Sequence, residues 1–335
     1  MTQTVLALET SCDETAVAVV QFHEEKFKVL ANCIASQADE HAQWGGVVPE
    51  IASRRHLEKM PFLLEKAIDQ SGVSISKVNA IAATVTPGLT GALLVGSITA
   101  RTLACLHKRP FLGIHHLEGH LSSVFLSDTV PSPPYLVLLV SGGHTELIKV
   151  DTDLTYTRLG RSHDDAAGEA FDKLSRYCGF GFPGGPAIQK IGEGGDENKI
   201  DFPRPKASNK FDYSFSGLKT AAIYYLQGLP DDQPISKKDF AASYQEAIVD
   251  SLMSIFEKAV KETNVPTISG GGGVMANSRL REKLMIFAEG ENKELLLPSP
   301  QLSTDNAAMI CIAAKNNLIT NNLGLEDIRL SSIIT

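Results

Sequence analysis

The sequence of 335 residues is 43% hydrophobic, which is enough for two folded units with separate apolar cores. Its 39 acidic residues outnumber its 31 lysine and arginine residues, and the net charge of −8 excludes a protein that binds nucleic acid through overall positive charge. Five scattered cysteines, with no C-x-x-C pair, argue against a zinc knuckle or a disulfide framework. No apolar run approaches about 18 residues and the N-terminus has no signal-peptide pattern, so we expect a soluble cytoplasmic protein without a membrane span.

The chain opens with a predicted β-hairpin. Residues 4–8 (TVLAL) and 16–20 (AVAVV) are short apolar runs on either side of the polar turn ETSCDET. Within this turn, Asp13 and Glu14 could steer an amine nucleophile, bind a metal or cap the turn. Cys12 has no recognisable base beside it, so we interpret it as an inert, buried thiol.

After the hairpin, the pattern alternates between strands and helices. A helix is predicted from about Glu50, and it carries the basic pair Arg54–Arg55. Residues 78–114 then indicate strand, glycine turn, helix and strand, and the stretch VPTISGGGGVMANSRLREKLMIFAEG repeats this plan near the end. Such alternation indicates an α/β fold with mixed sheets.

Residues 113–123, GIHHLEGHLSS, contain two histidines four positions apart. On a helix His116 and His120 share one face and could hold one cation; the alternative is a pair of solvated histidines at a helix start. Glu118 does not take the place of the general base in H-E-x-x-H, so the zinc-protease motif is absent. Far downstream, LSTDNAAM puts Asp305 at the predicted start of a late helix. Two histidines and one carboxylate with open positions suit Fe(II), with zinc as the next candidate.

Two glycine-rich turns follow predicted strands. VSGGHT at residues 140–145 lies inside a second hairpin, LVLLVSGGHTELIKV, which echoes the first and favours a duplicated architecture with a nucleotide in the cleft. SGGGGVMANSRL at residues 269–280 leads from a strand into a helix. Such turns present backbone N–H groups to phosphate oxygens, although tight turns need glycine in any case. Two of them in one chain favour nucleotide binding.

The stretch AAGEAFDKLSRYCGFGFPGGP predicts a helix with an apolar stripe, and Asp172 lies off that stripe. Its carboxylate is either solvated or accepts hydrogen bonds from two ribose hydroxyls, with Gly185 of PGGP packed close to the sugar or base. Residues 192–213, rich in glycine, proline and charge, predict an extended surface insertion that carries Lys206 and Lys210.

Taken in order, the motifs ETSCDET, HHLEGH, LVSGGHTEL, GEAFDK, PGGP, YSFSGLKT, SGGGGVMANSRL and STDNAAM resemble those of the tRNA N6-adenosine threonylcarbamoyltransferase family. The resemblance covers essentially the whole chain and is closest to the bacterial and organellar branch, TsaD. It implies an ASKHA fold (actin, sugar kinase, heat-shock ATPase) of two α/β lobes, with duplicated mixed-sheet cores and a nucleotide cleft between them. The lobes are expected at residues 1–113, with the tail 321–335 returning to the first, and at residues 114–320.

The resemblance also implies an activity, which is transfer of a threonylcarbamoyl group from threonylcarbamoyl-AMP to N6 of the adenosine next to the anticodon. One divalent metal per chain, Fe(II) or else zinc, is expected on His116, His120 and Asp305. Asp13 and Glu14 are our candidates for acid–base catalysis. The residues expected to bind the substrate are Leu139, Val140, Ser141, Gly142, Gly143, Asp172, Gly185 and Asn277.

The expected partners are tRNA and threonylcarbamoyl-AMP, together with either a paralogous ASKHA subunit (TsaB-like) and a small ATPase (TsaE-like) or a second copy of the chain. Two other classes of function remain open from the sequence. One is a metal-dependent peptidase. The other is a non-catalytic nucleotide-binding subunit, which is expected to lack the three metal ligands that this chain has.

Overall fold

A computed structural model of the protein describes residues 2–24, 26–126, 129, 131–152, 155–230 and 235–320. The strands in these ranges are β1 (Thr2–Glu9), β2 (Glu14–His23), β3 (Lys26–Ser36), β4 (Ala80–Thr86), β5 (Phe111–His115), β6 (Tyr135–Val140), β7 (Thr145–Val150), β8 (Tyr156–Arg161), β9 (Thr267–Gly271) and β10 (Glu294–Leu296). The α-helices are α1 (Ala38–Ala42), α2 (Pro49–Ser71), α3 (Thr90–His107), α4 (His116–Ser122), α5 (Ala167–Cys178), α6 (Gly184–Gly192), α7 (Ser216–Gln227), α8 (Lys237–Thr263), α9 (Ser278–Gly290), α10 (Pro300–Ser303) and α11 (Ala307–Thr320). Every helix in these ranges is too short or too polar to cross a lipid bilayer.

The chain divides into two compact units, of which the first comprises Met1–Leu126 and the residues from Asp305 onward. Its five-stranded sheet has the order β3-β2-β1-β4-β5, with β1 to β3 antiparallel and β4 and β5 parallel to β1. Both faces of β1 are buried, which explains why its sequence is a continuous apolar run rather than an alternating one. Helices α2 and α3 cover one face of this sheet and α11 covers the other. The predicted opening hairpin and the helix predicted from about Glu50 are both confirmed.

The second unit, Ser127–Thr304, repeats this topology. Its sheet has the order β10-β9-β6-β7-β8, again an antiparallel meander of three strands followed by two parallel strands on the other side of β6. The duplication predicted from the two hairpins is therefore confirmed. The insertion at residues 192–213 is not confined to the surface, because Ile200 and Phe202 are buried in the core of this unit.

The division between the units differs from the lobes predicted at residues 1–113 and 114–320. Helices α4 and α11 pack against each other and against the first sheet. The first unit therefore extends to Leu126, and it also includes the residues from Asp305 onward. Consequently the three predicted metal ligands all belong to the first unit. The predicted tail at 321–335 lies outside the described residues.

Candidate functional site

The three predicted metal ligands come together in the first unit. His116 and His120 share one face of α4, with ring centroids 4.6 Å apart. Asp305, two residues before α11, brings its Oδ1 to 3.1 Å from His120 Nε2 and 3.6 Å from His116 Nε2. One ligand atom from each residue lies within 4.8 Å of the others. Two imidazole nitrogens and one carboxylate oxygen form the donor set that the sequence predicted for Fe(II) or zinc.

The chemistry of this group fits a divalent cation. Both ring nitrogens of His120 are buried without a hydrogen-bond partner among the described residues, although Nε2 lies close to Asp305 Oδ1. An orphaned buried nitrogen costs about 1–3 kcal/mol, and a coordinated cation would remove that cost. Although burial lowers it, the carboxylates of Asp305 and Glu9 raise the pKa of His116 to about 9, so this place attracts positive charge. We therefore identify the group as a candidate mononuclear metal centre.

Glu9 is the residue of this site that sequence reasoning missed. It ends β1, is fully buried, and accepts hydrogen bonds from the backbone N–H of Ser11 at 2.6 Å and from the hydroxyl of Thr84. Its Oε2 lies 3.2 Å from His116 Nδ1. Despite burial, His116 and Ser11 hold the pKa of Glu9 below its usual value, so the ionised carboxylate accepts a hydrogen bond from Nδ1–H and leaves Nε2 directed toward Asp305. Such a carboxylate behind a ligating histidine fixes its tautomer and ring orientation.

Glu9→Gln is expected to weaken metal binding about 10–100-fold. The Glu9 carboxylate accepts hydrogen bonds from Ser11, Thr84 and His116, whereas the amide of glutamine would place an N–H group opposite one of these donors. The dissociation constant for Zn²⁺ or Co²⁺, measured by competition with a chromophoric chelator, checks this. Glu65→Gln, at an exposed position on α2, is the matched control. Equal affinities in wild type and Glu9→Gln would contradict an orienting role for Glu9.

His115, the neighbour without a predicted ligand role, caps α4. Its Nδ1 accepts a hydrogen bond from the backbone N–H of Leu117 at 3.2 Å. Burial, and then the charge of His116, lower the pKa of His115 to about 4, so the ring stays neutral and Nδ1 remains an acceptor. The run of two histidines thus divides into one helix cap and one candidate ligand.

The acidic turn between β1 and β2 lies in the same unit. Glu14 accepts a hydrogen bond from the hydroxyl of Ser36 at 3.1 Å and shares another with Asp13. Loss of hydration, and then the negative charges of Asp13 and Asp305, raise the pKa of Glu14 well above its usual value. Burial and Asp13 also raise the pKa of the Cys12 thiol, which agrees with an inert cysteine.

In the second unit, the predicted glycine turn closes the β6–β7 hairpin. The N–H of Ser141 donates to the His144 carbonyl at 2.8 Å, and the N–H of His144 donates to the Ser141 hydroxyl at 3.1 Å. Gly168, in the first turn of α5, packs directly on it: an added Cβ would lie 2.7 Å from the Gly142 Cα. The start of a helix thus lies beside the exposed tip of the turn, an arrangement that suits anionic groups.

Four members of the predicted set differ in what they can offer a ligand. Leu139 and Val140 are fully buried in β6, so only their main-chain atoms are available. Gly142 and Gly143 form the exposed tip, where an added Cβ would meet no described atom within 4 Å.

Helix α6, which carries Gly185, forms hydrogen bonds with Asp172 and with the residue that follows Asn277. The carboxylate of Asp172 accepts a hydrogen bond from the N–H of Gly184 at 2.6 Å, which anchors the first turn of α6 beside α5. One helical turn further along, the Gln189 side chain accepts from the N–H that follows Asn277, at 2.9 Å. Both hydrogen bonds are made by α6, which therefore contacts Asp172 on one side and the residue after Asn277 on the other. Gln189 was not predicted.

Asn277 also has a structural role. Its side-chain oxygen caps α9 by accepting from the N–H of Leu280 at 3.0 Å, and its amide donates to Gln245 at 2.7 Å. A cap of this kind typically stabilises a helix by about 1 kcal/mol. Gln245, like Gln189, carried no sequence signal.

The two basic patches noted in the sequence are partly neutralised. Arg55 forms ion pairs with Glu40 and Glu58, and Lys210 pairs with Glu262. One cation of each patch, Arg55 and Lys210, is therefore already engaged within the chain.

A family model described as TsaD: tRNA N6-adenosine threonylcarbamoyltransferase matches residues 28–312. A tRNA N6-adenosine threonylcarbamoyltransferase of Prochlorococcus marinus is 54% identical over 325 residues, which cover 95% of this chain and 91% of that protein. The protein of the same name from a Synechococcus species is 52% identical over 329 residues, with 95% and 91% covered.

Among solved structures, full-length HypF in its phosphate- and nucleotide-bound form aligns with a TM-score of 0.61 at 13% identity, covering 96% of this chain and 56% of that one. HypF of T. kodakarensis gives a TM-score of 0.62 at 12% identity, covering 95% and 48%. The chain thus spans about half the length of these two proteins. At such low identity the likeness concerns the fold alone, and it agrees with the predicted ASKHA fold.

Proposed function

Because the chain belongs to the TsaD family of tRNA N6-adenosine threonylcarbamoyltransferases, we propose that it transfers a threonylcarbamoyl group from threonylcarbamoyl-AMP to tRNA. The acceptor is N6 of the adenosine next to the anticodon, in tRNAs that read codons beginning with adenine. A C–N bond forms, the bond between the carbamoyl carbon and the phosphate oxygen breaks, AMP departs, and the amine loses a proton. The observation that carries the proposal is the His116–His120–Asp305 group, with both histidines buried, in a chain of this family.

In this proposal His116, His120 and Asp305 hold one divalent ion, Fe(II) in the first place and zinc as the alternative. When bound, such an ion neutralises phosphate charge or polarises the carbonyl as a Lewis acid. Glu9 keeps His116 in the tautomer that leaves Nε2 free to bind.

Asp13 and Glu14 take up the proton that the adenine amine loses. The raised pKa of Glu14 makes its carboxylate a stronger base than an ordinary glutamate, and general bases work best with a pKa near the working pH. The pair also lies in the same unit as the metal ligands and within reach of the charge of Asp305.

The second unit binds the nucleoside and phosphate portions of the adenylate. The glycine turn and the start of α5 offer N–H groups to the phosphate. The group that holds the ribose and base consists of Asp172, Gly185 and Asn277, with Leu139 and Val140 contributing main-chain atoms next to the turn formed by Ser141, Gly142 and Gly143.

Asp172→Ala is expected to weaken adenylate binding about 10–100-fold, since charge-assisted hydrogen bonds to ribose hydroxyls contribute about 1.5–3 kcal/mol. Asp172→Asn keeps an acceptor for the Gly184 N–H and separates anchoring of α6 from ribose binding, so it should lose less. Calorimetry with a non-hydrolysable adenylate analogue measures both. A 2′,3′-dideoxy analogue should bind wild type and mutant about equally; an equal loss of that analogue would place Asp172 elsewhere.

The test of the activity is incorporation of labelled threonine and bicarbonate into tRNA, with the synthetase that makes the adenylate present. We propose that a TsaB-like subunit and a TsaE-like ATPase, or a second copy of the chain, support turnover, so the assay is run with and without them. Failure to label tRNA under all of these conditions would overturn the proposal. Cleavage of an unstructured protein substrate that depends on His116 would instead support the peptidase alternative, which no observation favours.

A further inference from the structure

Three successive carbonyl groups of the acidic turn are each held by a different part of the first unit. The Ser11 carbonyl accepts the N–H of Leu89 at 2.8 Å, at the start of α3. The Asp13 carbonyl accepts the N–H of Gln37 at 3.0 Å, after β3. Between them, the Cys12 carbonyl lies 3.0 Å from Nε2 of His56, on α2. Of the three donors, only His56 uses a side chain, so only this contact can be removed by substitution without changing the backbone.

The contacts of His56 determine its tautomer. A carbonyl oxygen only accepts, so Nε2 carries the hydrogen that is donated to Cys12. Nδ1 then accepts from the Thr15 hydroxyl at 2.8 Å and from the Gln37 amide at 3.3 Å. Burial also lowers the pKa of His56, which keeps the ring neutral. Every hydrogen-bonding atom of this fully buried ring is satisfied in this one state.

The same direction of donation continues beyond His56. His41 Nε2 lies 3.2 Å from the side-chain oxygen of Gln37, and the N–H of Val48 donates to His41 Nδ1 at 3.3 Å. The hydrogen bonds therefore form a chain in which each group donates to the next: Val48, just before α2, donates to His41, His41 to Gln37, Gln37 to His56, and His56 to the acidic turn. The side chains of His41, Gln37 and His56 are buried, so water does not compete for their bonds.

We propose that His56 is a positioning residue for the transfer reaction: by holding the Cys12 carbonyl, it fixes the orientation of the Asp13–Glu14 pair. The proposal rests on the role given above to that pair. His56 touches neither the metal ligands nor the substrate-binding residues in the described contacts, and acts through the backbone of the turn.

The experiment compares His56→Leu, which loses the donor, with His56→Gln, whose amide N–H can still reach the carbonyl. His23→Leu, at an exposed position in the same unit, is the control. We measure kcat and KM for the adenylate, and the rate at which each cysteine is alkylated, by mass spectrometry. Cys12 reports on the turn, whereas buried Cys33 and Cys311 report on unfolding of the whole unit.

His56→Leu should lower kcat about 10–100-fold with little change in KM, because misplaced catalytic groups cost rate rather than binding. Alkylation of Cys12 should rise about fivefold or more while that of Cys33 and Cys311 stays unchanged. His56→Gln should restore most of both values. Unchanged alkylation of Cys12 in His56→Leu, or a parallel rise at all three cysteines, would overturn the positioning role. Faster alkylation of Cys12 alone, with kcat intact, would support the positioning of the turn and overturn the role proposed for Asp13 and Glu14.

Discussion

Replacing His120 by alanine is expected to reduce bound metal from about one ion per chain to a small fraction, and to lower kcat/KM about 10²–10⁴-fold. Its Nε2 lies 3.1 Å from Asp305 Oδ1, and neither ring nitrogen has a hydrogen-bond partner among the described residues, so the substitution removes no hydrogen bond that the described part of the fold makes. Elemental analysis of protein purified anaerobically without chelator measures the metal, and thermal unfolding checks that the fold is intact.

His115→Ala is the matched control, because this ring lies at the start of the same helix but caps it. It should cost about 1 kcal/mol of stability and leave the metal content unchanged. Full metal content in His120→Ala would show that the triad is assigned wrongly. Loss of metal with transfer intact would show that the ion does not act in the reaction.

The local patterns of the sequence were sufficient to predict much of this site. The i, i+4 spacing of His116 and His120 determines a shared helix face without any tertiary information. The two hairpins with polar turns predicted the duplicated sheets, because each is completed within about 15 residues. Asp305 is different: its link to the histidines depends on α11 packing beside α4, and only the family resemblance indicated it.

Glu9 and His56 could not be predicted for a physical reason. Glu9 meets His116 across 107 positions of the chain, and His56 meets Cys12 across 44. Neither contact belongs to a helix or turn repeat, so no periodicity records it. A weak signal was nevertheless present at Glu9, since a carboxylate that ends a fully buried strand must find donors.

The boundary between the two units could not be predicted from the sequence for a related reason. The strand ending at His115 is a natural place to divide the sequence, and a helix that follows it could pack on either sheet. The choice is made by tertiary contacts, in which α4 packs beside α11 on the first sheet. Amphipathic pattern predicts that a helix is covered, but not which sheet covers it.

Glu14→Gln is expected to lower kcat about 10²–10⁴-fold, the usual contribution of a general base, while the protein becomes no less stable. The pKa of Glu14 in the folded chain lies well above its ordinary value of 4.5, so at pH values between the two the folded state binds a proton that the unfolded state has released. Its stability contribution is therefore complete below pH 4.5 and is lost as pH rises toward the folded pKa. Glutamine cannot titrate, and its side-chain oxygen can still accept a hydrogen bond from Ser36. The mutant should therefore lose the decline of stability with rising pH and unfold at an equal or higher denaturant concentration at pH 7.

Denaturant unfolding at several pH values tests the predicted stability, and measurement of kcat tests the predicted loss of rate, with Glu65→Gln as the control for both. If Glu14→Gln is less stable than wild type at pH 7, Glu14 has a structural role. If the mutant keeps full kcat, Glu14 is not the general base.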